Sequence, residues 1–269
     1  MAIYRNTRNF LLILSVITGL YACDPWFAFS PYEANLETGY HGTTEKHLGL
    51  INARDAGDSK PFKIALVSDP HYHFSKLDDA LLHINQQNDY DFAIVAGDLT
   101  ENGLMQEYIF FYESMDRLNI PYLTVIGNHD YLSNGEKVYS QMYGPYNYTF
   151  VYNNVKFVMF DNNTIESEKS PDMEWLAREL VNDHGYDHVI PFAHIPPYDT
   201  QMKDHVDAFH ALMVENNIRV SVHGHKHDFS IEEAYGDGVR YATVSSPQKR
   251  TYSELIFTPG TIDIRKIEY

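Results

Sequence analysis

Three short apolar runs, each breaking off into a polar cluster, constrain this chain more than any other feature. Phe62 to Ser68 meets Asp69-Pro70-His71, Phe92 to Ala96 meets Gly97-Asp98, and Tyr122 to Ile126 meets Gly127-Asn128-His129-Asp130. Between the runs lie two stretches of helical period. One carries Leu77, Ala80, Leu81 and Ile84 on one face, within 76–88; the other carries Ile109, Tyr112 and Met115, within 105–118. Strands joined through helices pair in parallel, and parallel strands all end at the same edge of their sheet. The pattern therefore predicts an α/β fold with the polar clusters converging at one edge.

The second half continues the rhythm. Tyr148–Tyr152 and Val155–Phe160 read as a hairpin around Asn153-Asn154, a good turn pair. A helix is expected over 171–183, with Ser170 as N-cap and Pro171 at its first position. A strand over 189–193 ends at His194. A helix over 207–216 precedes a strand over 219–223, which runs into Gly224-His225-Lys226-His227. The tail alternates apolar and polar residues over 229–234, 239–245, 253–258 and 261–267, as antiparallel strands with one buried face do. Residues 24–60, rich in Pro, Gly and Asn, read as a tether and entry segment, and the folded domain is expected over 61–269.

At 269 residues with 44% apolar composition, the chain can bury one substantial core. Its formal charge of −17 disfavours a grip on long nucleic acid, which needs a basic face. The single cysteine, Cys23, rules out an internal disulfide and a Cys-rich zinc module. It closes a segment laid out as an export signal: Arg5 and Arg8, the apolar run Phe10 to Ile17, then Leu20-Tyr21-Ala22-Cys23. That ending resembles a bacterial lipobox, with a bulkier tyrosine than usual. The expectation is a signal over 1–22, lipid attachment at Cys23 and a membrane-anchored lipoprotein facing the periplasm or the cell surface; a plain secretion signal and an uncleaved anchor are the alternatives.

Singly, each polar cluster is an ordinary turn. Jointly, they supply two carboxylates, one amide oxygen and four imidazoles at strand ends: Asp69, Asp98, Asn128, His71, His194, His225 and His227. Such a mixture suits Zn, Fe or Mn better than Ca²⁺ or Mg²⁺, which prefer oxygen cages. Seven donors exceed one tetrahedral site and suffice for two metals sharing a carboxylate.

In order, the blocks are D-x-H, G-D, G-N-H-D, H and G-H-x-H, spanning Asp69 to His227. On these residues the sequence resembles the calcineurin-like metallophosphoesterase superfamily. The resemblance implies two mixed β-sheets packed as a sandwich flanked by helices, four layers in αββα order. It implies that Asp69, His71 and His227 hold one divalent or trivalent metal ion (Fe, Zn or Mn) and that Asn128, His194 and His225 hold another, with Asp98 bridging. His129 matches the family's catalytic histidine. The implied reaction is cleavage of a small-molecule phosphate ester by a bridging hydroxide attacking phosphorus. His129 would neutralise charge or protonate the departing oxygen.

Asp130 would either orient His129 or cap the following turn. His73, Asn102 and Tyr198 are placed at the rim, and His223 ends a strand. Two alternatives stand beside phosphate-ester hydrolysis in general. One is a phosphodiesterase acting on nucleotides or cyclic nucleotides, slightly disfavoured because Ala193 rather than a histidine precedes His194. The other is a non-catalytic metal-containing binding protein.

Overall fold

Ile64 and Leu66 face one way along the first strand while Ala65 and Val67 face the other, and all four are fully buried. A strand covered on both faces requires a layer on each side. The computed structural model, which describes residues 30–269 apart from Ala56, Asp58 and Pro259, supplies both layers. The expected signal over 1–22 and Cys23 lie outside the described residues. Every element named below belongs to one compact unit, Ala34–Tyr269.

Its strands are β1 (Phe62–Val67), β2 (Ala93–Val95), β3 (Tyr122–Thr124), β4 (Tyr148–Tyr152), β5 (Val155–Phe160), β6 (His188–Ala193), β7 (Val220–His223), β8 (Ser230–Glu232), β9 (Arg240–Thr243), β10 (Thr251–Thr258) and β11 (Thr261–Glu268). Its helices are α1 (Thr43–Asn52), α2 (Phe74–Gln87), α3 (Met105–Met115), α4 (Gly135–Met142), α5 (Met173–Glu179) and α6 (Val206–Glu215). One sheet runs β11-β10-β1-β2-β3, the other β4-β5-β6-β7-β9-β8. Both are mixed: β1, β2 and β3 pair in parallel, as do β5, β6, β7 and β9, while β10, β11, β4 and β8 join antiparallel. The tail is thus not wholly antiparallel, because β9 lies parallel to β7.

Ile64, Leu66, Phe92 and Ile94 of the first sheet meet Phe157, Met159, Phe192 and Val222 of the second in one apolar layer. Ala65 and Val67 pack outward on Leu77, Leu81, Phe111 and Val138 from α2, α3 and α4. Val158 and Phe160 pack outward on Leu176, Phe209 and Met213 from α5 and α6. Helix, sheet, sheet, helix is the four-layer order anticipated. No helix among the described residues is long and apolar enough to cross a membrane.

Three local expectations change. Helix α5 begins at Met173, not Pro171, because the Asp172 carboxylate accepts the Trp175 N–H at 2.9 Å and so caps in place of Ser170. Helix α1 stands inside the segment read as a tether. Its buried face is Thr43, Thr44, His47 and Ile51, a helical spacing carried mostly by polar residues. His47 Nδ1 lies 2.8 Å from both the backbone N and the backbone O of Tyr122 in β3, and so covers the free edge of the first sheet. Helix α4 was also unanticipated, although Val138, Tyr139 and Met142 line its buried side.

Candidate metal centre

Each of the donors read from the sequence sits where a strand gives out. Asp69 and His71 follow β1, Asp98 follows β2, Asn128 and His129 follow β3, His194 follows β6, and His225 and His227 follow β7. The strand ends are locked together by backbone bonds: Asp69 N–H donates to Gly97 O at 3.1 Å, His71 N–H to Asp98 O at 3.2 Å and Gly224 N–H to His194 O at 2.9 Å. The last ties β6 to β7 at the point of use. Two glycines permit the approach. A side chain on Gly97, at φ 97°, would strike the His194 ring, and one on Gly127 would strike Asp98.

Asp69, His71, Asp98, His225 and His227 all hold positive φ, between 48° and 67°. Left-handed backbone costs a residue with a Cβ about 1 kcal/mol or more. Five such residues in one cluster mean that side-chain aim, rather than backbone ease, decides the conformation here.

The donors converge in two overlapping groups. Asp69, His71, Asp98 and His227 bring ligand atoms within 4.8 Å of one another, and so do Asp98, His194 and His225. Asn128 completes the second group, its Oδ1 lying 3.2 Å from His194 Nε2 and 3.1 Å from His225 Nδ1. His71 Nε2 and His227 Nε2 stand 3.2 Å apart, and Asp69 Oδ1 lies 3.4 Å from His227 Nε2. Asp98 Oδ2 faces both groups, 3.2 Å from His194 Nε2 and 3.7 Å from His71 Nε2. All seven donors come together, and the shared member is Asp98.

This donor set fits a cation. His194 Nδ1–H donates to Ala96 O at 2.7 Å, which leaves Nε2 as a bare lone pair in the neutral ring. That lone pair points at a carboxylate oxygen and an amide oxygen, both on buried residues, an arrangement that repels unless positive charge lies between them. The same need shows in the protonation equilibria. Burial opposes a charged His194, yet the carboxylates of Asp98 and Asp69 lift its pKa to about 10. Burial raises Asp69 to about 7, with Asp98 pushing the same way. Burial also opposes ionised Asp98, but His194 and His71 outweigh it and hold its pKa below the ordinary carboxylate range. Burial lowers His71 and His225 to about 4, which keeps both neutral and able to ligate. Donors about 2.0–2.2 Å from one ion sit roughly 3 Å or slightly more from each other, the separations found here.

His129 is half-buried and lies beside the donors, its ring 4.7 Å from that of His71, edge to face. Its Nδ1–H donates to Glu101 O at 2.8 Å, so Nε2 is the atom left to exchange a proton with a ligand. Burial disfavours its cation, but Asp98 and the Glu101 carbonyl raise its pKa above the usual value.

Asp130 takes neither of the roles anticipated. Its carboxylate accepts Leu99 N–H (3.2 Å), Thr100 N–H (3.0 Å), Thr100 Oγ1–H (2.9 Å) and Gly127 N–H (2.9 Å), tying the loops after β2 and β3 together. Asn102 donates to Glu107 at the start of α3, and His223 bonds Ser221 Oγ inside the second sheet. Tyr198 packs with the helices beneath that sheet, while His73 lies half-buried against the exposed ring of Tyr72.

Behind the donors stand three carboxylates that the sequence did not reveal. Glu101 Oε2 lies 3.1 Å from His71 Nδ1, Glu166 Oε1 accepts from Asn128 Nδ2 at 3.1 Å, and Asp199 Oδ2 lies 3.7 Å from His225 Nε2. Outer partners of this kind decide which atom of a ligand faces the ion. Glu101 shares the polar turn of Asp98. Glu166 and Asp199 sit in long loops with no spacing that marks them.

Residues 62–229, more than half of the chain, match the family model described as calcineurin-like phosphoesterase. A relative from Arcobacter nitrofigilis, named "Probable glycerophosphodiester phosphodiesterase", is 27% identical over 133 residues, covering 44% of this chain and 47% of the relative. The chain thus spans about half the length of that relative. A second, from Xenorhabdus bovienii, named "Probable cyclic nucleotide phosphodiesterase", is 22% identical over 195 residues, covering 61% of this chain and 78% of the relative. Among solved structures, a purple acid phosphatase from yellow lupin (Lupinus luteus) seeds superposes with a TM-score of 0.61 at 13% identity, covering 78% of this chain and 52% of that one. At that identity the likeness concerns the fold.

Proposed function

Because the chain belongs to the calcineurin-like phosphoesterase family, we propose that it hydrolyses phosphate esters at a two-metal centre. Asp69, His71 and His227 hold one ion, Asn128, His194 and His225 the other, and Asp98 both. The observation that carries this reading is the position of Asp98, whose Oδ2 faces donors of both groups. A bound pair of such ions polarises phosphoryl oxygens and makes water acidic enough to attack phosphorus near neutral pH. The nitrogen-rich set is suited to Fe, Zn or Mn.

The protein's own groups do the rest. His129, with its raised pKa and its Nδ1–H fixed on Glu101 O, delivers a proton from Nε2 to the departing ester oxygen. The Asp98 carboxylate also accepts the His129 backbone N–H at 2.9 Å, which fixes the acid relative to the metal donors. Purified protein dialysed against Mn²⁺ or Zn²⁺ is expected to release p-nitrophenol from bis(p-nitrophenyl) phosphate or p-nitrophenyl phosphate. Activity on neither, with both ions bound, contradicts the reading.

One finding supports diesters as the preferred substrates: both named relatives are described as phosphodiesterases. The ratio of kcat/KM for the two nitrophenyl esters decides between the classes. For location, the basic start, the apolar run and Leu20-Tyr21-Ala22-Cys23 support export and lipid attachment at Cys23. Palmitate labelling that survives Cys23→Ser would contradict it.

A further inference from the structure

The amide of Asn128 has two ends of similar shape and opposite chemistry, and only one can ligate a cation. Its Oδ1 faces His194 Nε2 and His225 Nδ1, and its Nδ2 faces Glu166. Nothing in the polypeptide backbone at Asn128 enforces that choice. Glu166 does. Its Oε1 accepts the Asn128 Nδ2–H at 3.1 Å, and turning the amide over would set oxygen against oxygen at that distance. The loop that carries Glu166 is itself pinned to the metal edge. Asn163 Nδ2 donates to Ile126 O at 3.0 Å, two residues before Asn128, and Ser167 Oγ donates to Asn163 O at 2.6 Å. The carboxylate is therefore held where the amide needs it by the same strand end that presents Asn128.

We propose that Glu166 is a positioning residue for the second metal: it holds the Asn128 amide oxygen toward the ion shared with His194 and His225. The inference rests on the two-metal reading above. It also makes the two ions unequal, because Glu166 touches a donor of one group only. Loss of Glu166 then weakens one ion and spares the other.

The test uses full-length protein stripped with chelator and titrated with Mn²⁺, with hydrolysis of bis(p-nitrophenyl) phosphate followed on the same samples. Wild type is expected to show two binding events. Glu166→Ala should weaken one event by about 10–100-fold, and Glu166→Gln, whose Oε1 still accepts the Asn128 Nδ2–H without the charge, by less, with the other event and the Tm of the metal-free protein unchanged in both. Both events unchanged in the single variants, or both weakened together with a fall in Tm, would overturn the proposal. A Glu166-dependent Mn²⁺ event in a protein without turnover supports this inference and defeats the proposed activity. Turnover with Glu166-independent binding does the reverse.

Discussion

Asp98 Oδ1 accepts the backbone N–H of His129 at 2.9 Å while Asp98 Oδ2 looks toward both groups of metal donors. One buried carboxylate thus joins the metal centre to the proposed acid. The two functions of that turn should separate under substitution.

His129→Ala is expected to leave metal content unchanged and to lower kcat by about 10²–10⁴-fold on esters with poor leaving groups. On p-nitrophenyl esters, whose leaving oxygen needs little protonation, the loss should be much smaller. Equal losses on alkyl and nitrophenyl substrates would remove His129 from the acid role.

Gly97→Ala should be severe for so small a change. The new methyl collides with the His194 ring, at a φ of 97° that residues with a Cβ avoid. A loss of roughly 1–3 kcal/mol or more in unfolding free energy is expected, with weakened metal binding. Denaturant titration with and without Mn²⁺ reads both effects.

Asn162 bridges the loop after β5 to the loop after His194. Its Nδ2 donates to Ile195 O at 2.6 Å and its Oδ1 accepts Ile195 N–H at 3.1 Å, all of it buried. Asn162→Ala leaves both backbone groups without partners, costing about 1–3 kcal/mol each way they are counted. Asn162→Asp keeps the bond from Ile195 N–H but sets a second oxygen against Ile195 O in a fully buried site, and should lose at least as much as Asn162→Ala in urea titration.

Acid should weaken the fold through His47. Burial lowers its pKa below the ordinary histidine value of 6.5, outweighing the raising effect of the Tyr122 backbone. Below about pH 6.5 the unfolded chain therefore binds a proton that the folded chain refuses. The stabilising effect is complete above that pH and declines as pH falls toward the lowered folded value. Tm measured from pH 7 to 5 should drop less steeply in His47→Gln than in wild type. Parallel slopes would show that His47 is not a source of the acid sensitivity.

Most of the metal edge was legible because its donors end strands whose own pattern is strong. Ile64 to Val67 and Phe92 to Ala96 are apolar on both faces, so their ends could be placed and the following Asp69 and Asp98 with them. Helix α1 was not legible because its buried face holds Thr43, Thr44 and His47, whose polarity hides the helical period. The start of α5 was misjudged because Asp172, a capping residue as good as Ser170, lies two positions on. Asp130 shows the limit at the site itself. Its place in Gly-Asn-His-Asp suggested His129, whereas its partners Leu99 and Thr100 come from another strand's loop, which chain spacing cannot reveal. Glu166 and Asp199 were missed for the same reason.

Metal stoichiometry in wild type and in Asp98→Asn tests the central claim most directly. Elemental analysis after dialysis against Mn²⁺ should find two ions per wild-type chain, and a much reduced content in Asp98→Asn with the fold preserved by circular dichroism. A content that the substitution leaves unchanged would contradict the shared centre.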